Sequence, residues 1–293
     1  MSDTAAAASA TTVTVVHACL RDGRGGSPTA VLADGPFDDG RRREIPGRAG
    51  ASHAVFVASD GGPDGASLRF FTSAGELPAC GHGTVAALTW LAARHGPRER
   101  ITLRTTARTF RGSVTAADGD GRFDAAFDPG TPHVSTPAPG VHADVLAALG
   151  LAREPGPAER GTRVAALGRP RLLVPVADRA ALAALAPDQA ALRAACDRQG
   201  LLGCYVYSRP GPDGRVAARM FAPSIGVPED IANANSTACL AAHLAGLGLR
   251  DLAADMGDAV GSPATVTAAV RDTPDGPRLR VGGAARLGPA LRL

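Results

Sequence analysis

The sequence predicts an α+β protein built from two similar units. Residues 69–72 (RFFT) and 219–222 (RMFA) both have the pattern of a strand, and they lie 150 residues apart. Each strand leads through a polar turn into an Ala/Leu-rich helix, and the two helices end at Gly96 and Gly248. Short extended runs outnumber helical runs, especially in the first half. We therefore predict a duplicated unit whose two turn–helix elements face each other across a cleft.

The first half is rich in predicted strands. These strands are expected at residues 12–20, 30–33, 52–59, 68–72, 101–106, 110–114 and 122–127. A short helix is predicted within 37–50, ended by Pro46 and Gly47. A longer Ala/Leu-rich helix is predicted from Thr84 to about His95, where Gly96 and Pro97 would stop it.

The second half follows a Pro-rich stretch at residues 128–139, which is the best candidate for a domain boundary. Helices are expected at 141–149, 179–186, 187–199 with Pro187 at the first helical position, and 236–247. Strands are expected at 171–176, 203–208 and 215–221, with a closing hairpin of 265–270 and 279–281. We therefore predict domains at 12–128 and 129–293, with the option that the last strand returns to the first domain.

Composition and charge exclude several classes of function. The net charge of +3 comes from scattered arginines, and aromatic residues make up only 4% of the chain, so no nucleic-acid surface is predicted. No run of 18 apolar residues occurs, so no membrane span is expected. The five cysteines are widely spaced without a C-x-x-C motif, which indicates neither a zinc site nor a disulfide framework. We expect a cytoplasmic protein whose thiols are reduced. Residues 1–11 are expected to form a disordered tail.

The stretch 77–84 contains a Pro, a Cys, a His and two Gly directly before the first long helix. Unpaired backbone N–H groups and the positive end of the helix dipole lie at such a position. A carboxylate would bind there, and the pKa of a thiol would fall there. The alternative is a well-capped core helix preceded by an ordinary turn.

Five segments resemble the phenazine-biosynthesis PhzF-like family, which shares the diaminopimelate-epimerase fold. They are residues 27–34 (SPTAVLAD), 52–57 (SHAVFV), 71–87 (FTSAGELPACGHGTVAA), 172–176 (LLVPV) and 220–244 (MFAPSIGVPEDIANANSTACLAAHL). The resemblance implies two epimerase-like domains, each a curved mixed sheet around a central helix, with the active site in the cleft between them. Characterised members of the family are cofactor-free isomerases that move a proton on a small carboxylate substrate.

The resemblance also implies catalytic residues. His53 stands where the family has the Glu of S-E-T, and an imidazole can also shuttle a proton near neutral pH. His82 matches the family's Gly-His, and Asp230 matches the acidic residue of P-E-D, where it would relay a proton or orient His82. A solvated helix cap is the alternative interpretation for Asp230.

Cys80 stands where most PhzF-like proteins have Ala and where racemases of the same fold carry a catalytic Cys. Those racemases need a second thiol on the facing helix, and that position falls at about Asn233 here. Cys239 lies further along the helix and is expected in the core. The pattern therefore disfavours a two-thiol racemase and leaves a single reactive Cys80 open.

Substrate contacts are expected mainly from the turns before the two helices, which would hold the carboxylate by backbone N–H groups. Ala234 replaces a family Gly, the neighbouring asparagines add amide groups, and Ser27 replaces a family Asn. The ligand's shape is therefore expected to differ from that of other members. The residues predicted to bind substrate are Ser27, Ser52, Gly81, Gly83, Thr84, Asn233, Asn235 and Ser236, and no metal or cofactor is predicted.

We therefore expect a cofactor-independent isomerase that shifts a proton, for example in double-bond migration, on a small unsaturated amino or cyclic carboxylic acid. Secondary metabolism fits the altered pocket, and pyrroline- or dihydropyrrole-carboxylates of antibiotic pathways would suit it. Two alternatives stay open: a racemase or epimerase that uses Cys80, and a catalytically inactive binding homologue. A homodimer is expected from the family alone.

Overall fold

The structure is a computed structural model, and it describes residues 11–59, 62, 64–117, 121–138, 142–151 and 161–293. The tail expected at 1–11 lies outside the described residues except for Thr11. No helix among the described residues is long and apolar enough to cross a membrane.

Strands dominate the described chain. They are β1 (Thr12–Leu20), β2 (Ser27–Ala33), β3 (His53–Ser59), β4 (Gly65–Thr72), β5 (Gly75–Leu77), β6 (Arg98–Arg104), β7 (Thr109–Ala116), β8 (Arg122–Phe127), β9 (His133–Ser135), β10 (Arg163–Ala166), β11 (Pro170–Val176), β12 (Cys204–Ser208), β13 (Arg215–Ala222), β14 (Val227–Asp230), β15 (Asp251–Met256), β16 (Ala264–Thr273) and β17 (Gly276–Arg292). The helices are α1 (Asp39–Arg48), α2 (Gly81–His95), α3 (Ala143–Ala148), α4 (Arg179–Ala183), α5 (Gln189–Arg198) and α6 (Ala234–Ala245).

Eight strands close a barrel around α2. The pairings run β1–β2–β3–β4–β6–β7–β8–β17 and return to β1, so every strand of the ring has two partners. Residues 82–92 of α2 are all buried, as expected for a helix enclosed on every side. Gly112 on β7 allows the sheet to approach the helix, because a Cβ there would lie 2.8 Å from a Leu88 methyl group.

A second sheet curves around α6. Its strands pair in the order β9–β10–β11–β12–β13–β15–β16–β17, and β14 forms a hairpin on β13. The apolar side chains of α2 and α6 belong to one continuous core. The predicted α+β class, with two curved sheets that each surround a central helix, is confirmed.

Strand β17 belongs to both sheets. Its first part pairs with β16, its middle with β8, and its last part with β1, where Thr12 lies opposite Arg292. The predicted hairpin of β16 and β17 is present; β16 is a few residues longer than predicted, and β17 extends far beyond 279–281 to Arg292. The division into domains at 128/129 stays a prediction.

Several element ends differ from the sequence prediction. Helix α1 continues through Pro46 to Arg48, because the Ala49 N–H still bonds to the Ile45 carbonyl. Helix α5 begins at Gln189 and not at Pro187, because the Asp188 carboxylate caps it by accepting two backbone N–H bonds.

Four described strands in the second half were not predicted: β9, β10, β14 and β15. Strand β14 lies where a turn was predicted, since Pro228 and two acidic residues suggested a loop. Strand β15 carries Asp255, which is buried and paired with Arg21, Arg179 and Arg215. The sequence does not reveal these partners, so an acidic residue in a buried strand could not be expected.

Candidate active site

The starts of the two central helices meet at the centre of the molecule. Cys80 is the N-cap of α2 and Asn233 is the N-cap of α6, so the two residues occupy equivalent positions. The Asn233 amide oxygen accepts the Ser236 N–H at 2.9 Å. A Cβ on Gly81 would lie 2.4 Å from the Cβ of Ala234, so the first residues of the helices touch. Each helix begins earlier than predicted, and both positive ends adjoin one cavity.

Most of the predicted site residues line this cavity, which has a volume of about 360 Å³. We call it the catalytic cavity. The predicted residues that line it are His53, Cys80, Gly81, His82, Asp230, Asn233 and Asn235. The structure does not bring the others to its wall. Ser27 is buried in β2, and Gly83 and Ser236 are buried inside the helices. The Thr84 hydroxyl bonds the Cys80 carbonyl, and the Ser52 hydroxyl shares a hydrogen bond with His53.

His53 opens β3 and projects toward α2. Its Nδ1 shares a 2.8 Å hydrogen bond with the Ser52 hydroxyl, which leaves Nε2 as the ring nitrogen available for chemistry. Its ring meets the His82 ring edge to face, with centroids 4.4 Å apart. Burial and the neighbouring His82 lower the pKa of His53, and the Asp230 carboxylate only partly offsets this. His53 is therefore a neutral imidazole, the form that accepts a proton.

His82 lies in the first turn of α2 and is 4% exposed. Its Nδ1–H donates to the Ala232 carbonyl at 3.2 Å, a bond that joins the two halves of the chain. That donor fixes the tautomer, so Nε2 carries the lone pair and faces the Cys80 sulfur at 3.4 Å. Burial lowers the pKa of His82 to about 4, which keeps this ring neutral as well.

Asp230 ends β14, three residues before the N-cap of α6. Its Oδ2 accepts the side-chain amide of Asn233 at 3.0 Å. Burial raises the pKa of Asp230, although hydrogen bonds from Asn233, Ala232 and Ile231 and the charge of His53 oppose this. The carboxyl group is therefore biased toward its protonated form, the form that can donate a proton. The interpretation as a solvated cap finds no support, because Asn233 caps the helix.

The expected fall in the thiol pKa of Cys80 is wrong. Burial raises the pKa of Cys80 to about 12, and the backbone bond from Gly83 offsets this only in part. Desolvation of a thiolate at this buried position outweighs the favourable helix end. Cys80 is therefore a neutral thiol that donates toward His82.

His53, Cys80 and His82 also form a compact group of potential metal ligands. One ligand atom of each lies within 4.8 Å of the others. A tetrahedral zinc ion would need separations of about 3.3–3.6 Å, from Zn–N near ~2.05 Å and Zn–S near ~2.3 Å. The Cys80 Sγ–His82 Nε2 separation of 3.4 Å already lies in this range, so the same three side chains present donor atoms for a metal ion and for acid–base chemistry.

Sequence reasoning missed Arg171, which lines the catalytic cavity from β11 and is 1% exposed. Its Nη1 bonds the Ser236 hydroxyl at the start of α6, and its Nη2 bonds the carbonyls of Leu167 and Arg169. Its Nε has no partner, and no carboxylate among the described residues pairs with it. An unpaired buried cation adds positive potential behind the helix end. The signal available in the sequence was an Arg opening the apolar run RLLVPV.

The chain as a whole is similar to known proteins of one family. The family model described as phenazine biosynthesis-like protein, PhzC-PhzF, matches residues 19–287. The trans-2,3-dihydro-3-hydroxyanthranilate isomerase of Pseudomonas aeruginosa is 32% identical over 79% of this chain and 78% of its own. The uncharacterised isomerase YddE of Escherichia coli K12 is 28% identical over 75% and 74% of the two chains. The crystal structure of a Bacillus anthracis PhzF-family protein superposes with a TM-score of 0.83 at 16% identity, covering 97% of this chain and 99% of that one.

Proposed function

The chain belongs to the PhzC-PhzF family of phenazine biosynthesis-like proteins and is an isomerase, and from this premise we propose that it catalyses a cofactor-independent proton shift on a small unsaturated carboxylic acid. His53 is the base and Asp230 is the acid. The observation that carries the proposal is that both groups line one cavity while their pKa values are shifted in opposite directions. Burial thus favours a neutral imidazole that can accept a proton and a protonated carboxyl group that can donate one.

The proposed step conserves atoms and electrons. Nε2 of His53 removes a proton from a carbon next to the double bond, and the C–H electron pair moves to form a new double bond. The electrons of the old double bond take a proton from the Asp230 carboxyl at the other end of the three-carbon unit. Transfer of the proton from His53 back to Asp230, directly or through solvent, restores the starting pair.

The starts of α2 and α6 are proposed to hold the substrate carboxylate. Backbone N–H groups at the start of a helix point outward without intrahelical partners, and the dipole of each helix favours an anion. Arg171 strengthens the field at α6 from behind. The same donors would stabilise negative charge that develops on the carboxylate during proton transfer, without needing to reorganise.

The geometry favours acid–base isomerisation over the thiol racemase. A racemase of that type needs two thiols that exchange protons with one carbon, whereas the position equivalent to Cys80 is Asn233. Cys80 itself is a neutral thiol with a raised pKa. A role in secondary metabolism, and cyclic unsaturated acids such as pyrroline-carboxylates or the dihydro-hydroxyanthranilate named for a relative, remain part of the proposal.

The test is proton exchange with solvent. Candidate acids are incubated with the protein in deuterated water, and deuterium uptake at carbon is followed by NMR. The wild-type protein should exchange one position, and His53→Gln should slow exchange by about 10²–10⁴-fold, the usual contribution of a positioned base. His95→Gln, at an exposed histidine that ends α2, is the matched control and should exchange normally.

The inactive binding homologue predicts a different result. No candidate acid would then exchange, and His53→Ala would leave the dissociation constant of a bound acid unchanged in calorimetry. That pair of results would overturn the catalytic proposal.

A further inference from the structure

A second cavity of about 360 Å³ adjoins the catalytic cavity. The two share the turn 78–81 before α2, the turn residues Leu167 and Gly168, and Asn235 at the start of α6. Cys80 lies in this common wall. Together the two cavities fall well within the roughly 300–1,000 Å³ of a small-molecule site, whereas either one alone lies near the lower limit.

We call the second cavity the aromatic chamber, because three phenylalanines line it. Phe70, Phe110 and Phe127 line it, and the rings of Phe110 and Phe127 lie 5.8 Å apart. The Arg108 guanidinium stacks 4.4 Å from the Phe110 ring centroid and donates to the Asp128 carbonyl. No carboxylate of a described residue forms an ion pair with Arg108. The chamber therefore offers an apolar wall and a half-buried cation with unused donors.

The proton shift does not use this chamber, because His53 and Asp230 line the catalytic cavity only, whereas the helix starts line both cavities. A five- or six-membered cyclic acid would be accommodated in the catalytic cavity. An apolar wall that continues directly from a catalytic site contributes most when a bound molecule spans both spaces, because burial of apolar surface adds affinity in proportion to its area.

We propose that the aromatic chamber is a second substrate subsite, and that the substrate is a carboxylic acid with an apolar or aromatic arm that passes Cys80 toward Arg108. The inference rests on the proposed function for the position of the carboxylate. A distal carbonyl or carboxylate on the arm would accept hydrogen bonds from Arg108. The small unsaturated acid of the proposed reaction would thus carry the arm as a substituent.

The test measures binding of unreactive acids, so it does not depend on catalysis. Calorimetry with phenylacetate, 3-phenylpropionate, 4-phenylbutyrate and 5-phenylvalerate should show the dissociation constant falling roughly fourfold per methylene, which corresponds to about 0.8 kcal/mol per buried CH₂. Arg108→Met should weaken binding of 4-(4-carboxyphenyl)butyrate and leave 4-phenylbutyrate unchanged.

The chain provides a closely matched pair of variants. Ala107 lines the aromatic chamber, whereas Ala74 lies in another exposed turn and lines neither cavity. Each donates its backbone N–H to a Thr hydroxyl two residues earlier, at 3.2 Å. Ala107→Phe should abolish the dependence on arm length and preserve phenylacetate binding, and Ala74→Phe should change neither.

The outcomes separate this inference from the proposed function. A dissociation constant that does not change with arm length, or equal behaviour of the two Ala→Phe variants, overturns the subsite. A clear length dependence in a protein that exchanges no proton supports the subsite while the catalytic proposal fails.

Discussion

Gly81 and Ala234, the first residues of the two central helices, are in direct contact, and a side chain on Gly81 would lie 2.4 Å from the Ala234 methyl group. The two helix starts therefore fix each other's position. The relative placement of His82 and Asp230, one near each helix start, depends on this contact.

The contact predicts that Gly81→Ala lowers the free energy of unfolding by about 1–3 kcal/mol, the usual cost of overpacking. Ala234→Gly in the same chain should restore most of the loss, as a double-mutant cycle in urea would show. Gly47→Ala is the matched control, since nothing lies within 4 Å of a Cβ at this helical glycine. Equal effects at Gly47 and Gly81 would contradict the contact.

The pH dependence of exchange follows from the proposed roles of His53 as base and Asp230 as acid. Falling pH adds a proton to the base, and rising pH removes the proton from the acid, so the rate should pass through a maximum. Asp230→Asn should lower the pKa of His53, because the carboxylate favours the imidazolium. His82→Asn should raise it, because His82 opposes that charge. Histidine titrations by NMR would show shifts of opposite sign, and shifts of one sign would refute the assignment.

Arg171→Met should raise KM for a carboxylate substrate about tenfold, which corresponds to ~1.4 kcal/mol, with little change in kcat. The free energy of unfolding should stay equal or rise, because an unpaired buried cation is costly. Arg169→Met removes an exposed cation from the same cavity and should have a smaller effect, since solvent screens it. An unchanged KM together with a loss of stability would make Arg171 purely structural.

Cys80→Ser should retain most proton exchange, because the hydroxyl can still donate to Nε2 of His82 and the wild-type thiol is neutral. Exchange rates in deuterated water measure this directly. Near-total loss of exchange at the carbon next to the carboxylate would instead support the alternative that the protein is a racemase or epimerase that uses Cys80.

Removal of metal ions should leave the exchange rate unchanged. The group of His53, Cys80 and His82 is compact enough to make this a sharp test. The protein is dialysed against a chelator, and its rate is compared before and after addition of Zn²⁺. Loss of exchange that zinc restores would contradict cofactor independence.

The sequence predicts the class of fold because strand periodicity and glycine-ended helices are local signals. It places the helix starts within three residues and identifies most of the cavity wall, since those residues cluster in two turns. It could not predict the pKa of Cys80, which depends on burial by distant strands. Arg171 was missed for the same reason: that it is buried without a carboxylate partner is visible only once β11 lies against α6.

The position of strand β17 affects the order in which the barrel around α2 forms. The barrel around α2 closes only when residues 284–292 lie against β1, and the Thr11 and Leu293 backbones exchange hydrogen bonds at 3.1 and 3.0 Å. Contacts between residues so far apart in sequence slow folding. When only the first 128 residues have emerged from the ribosome, the barrel lacks strand β17. We therefore expect His53 and His82 to reach their final positions only after the second half has been synthesised.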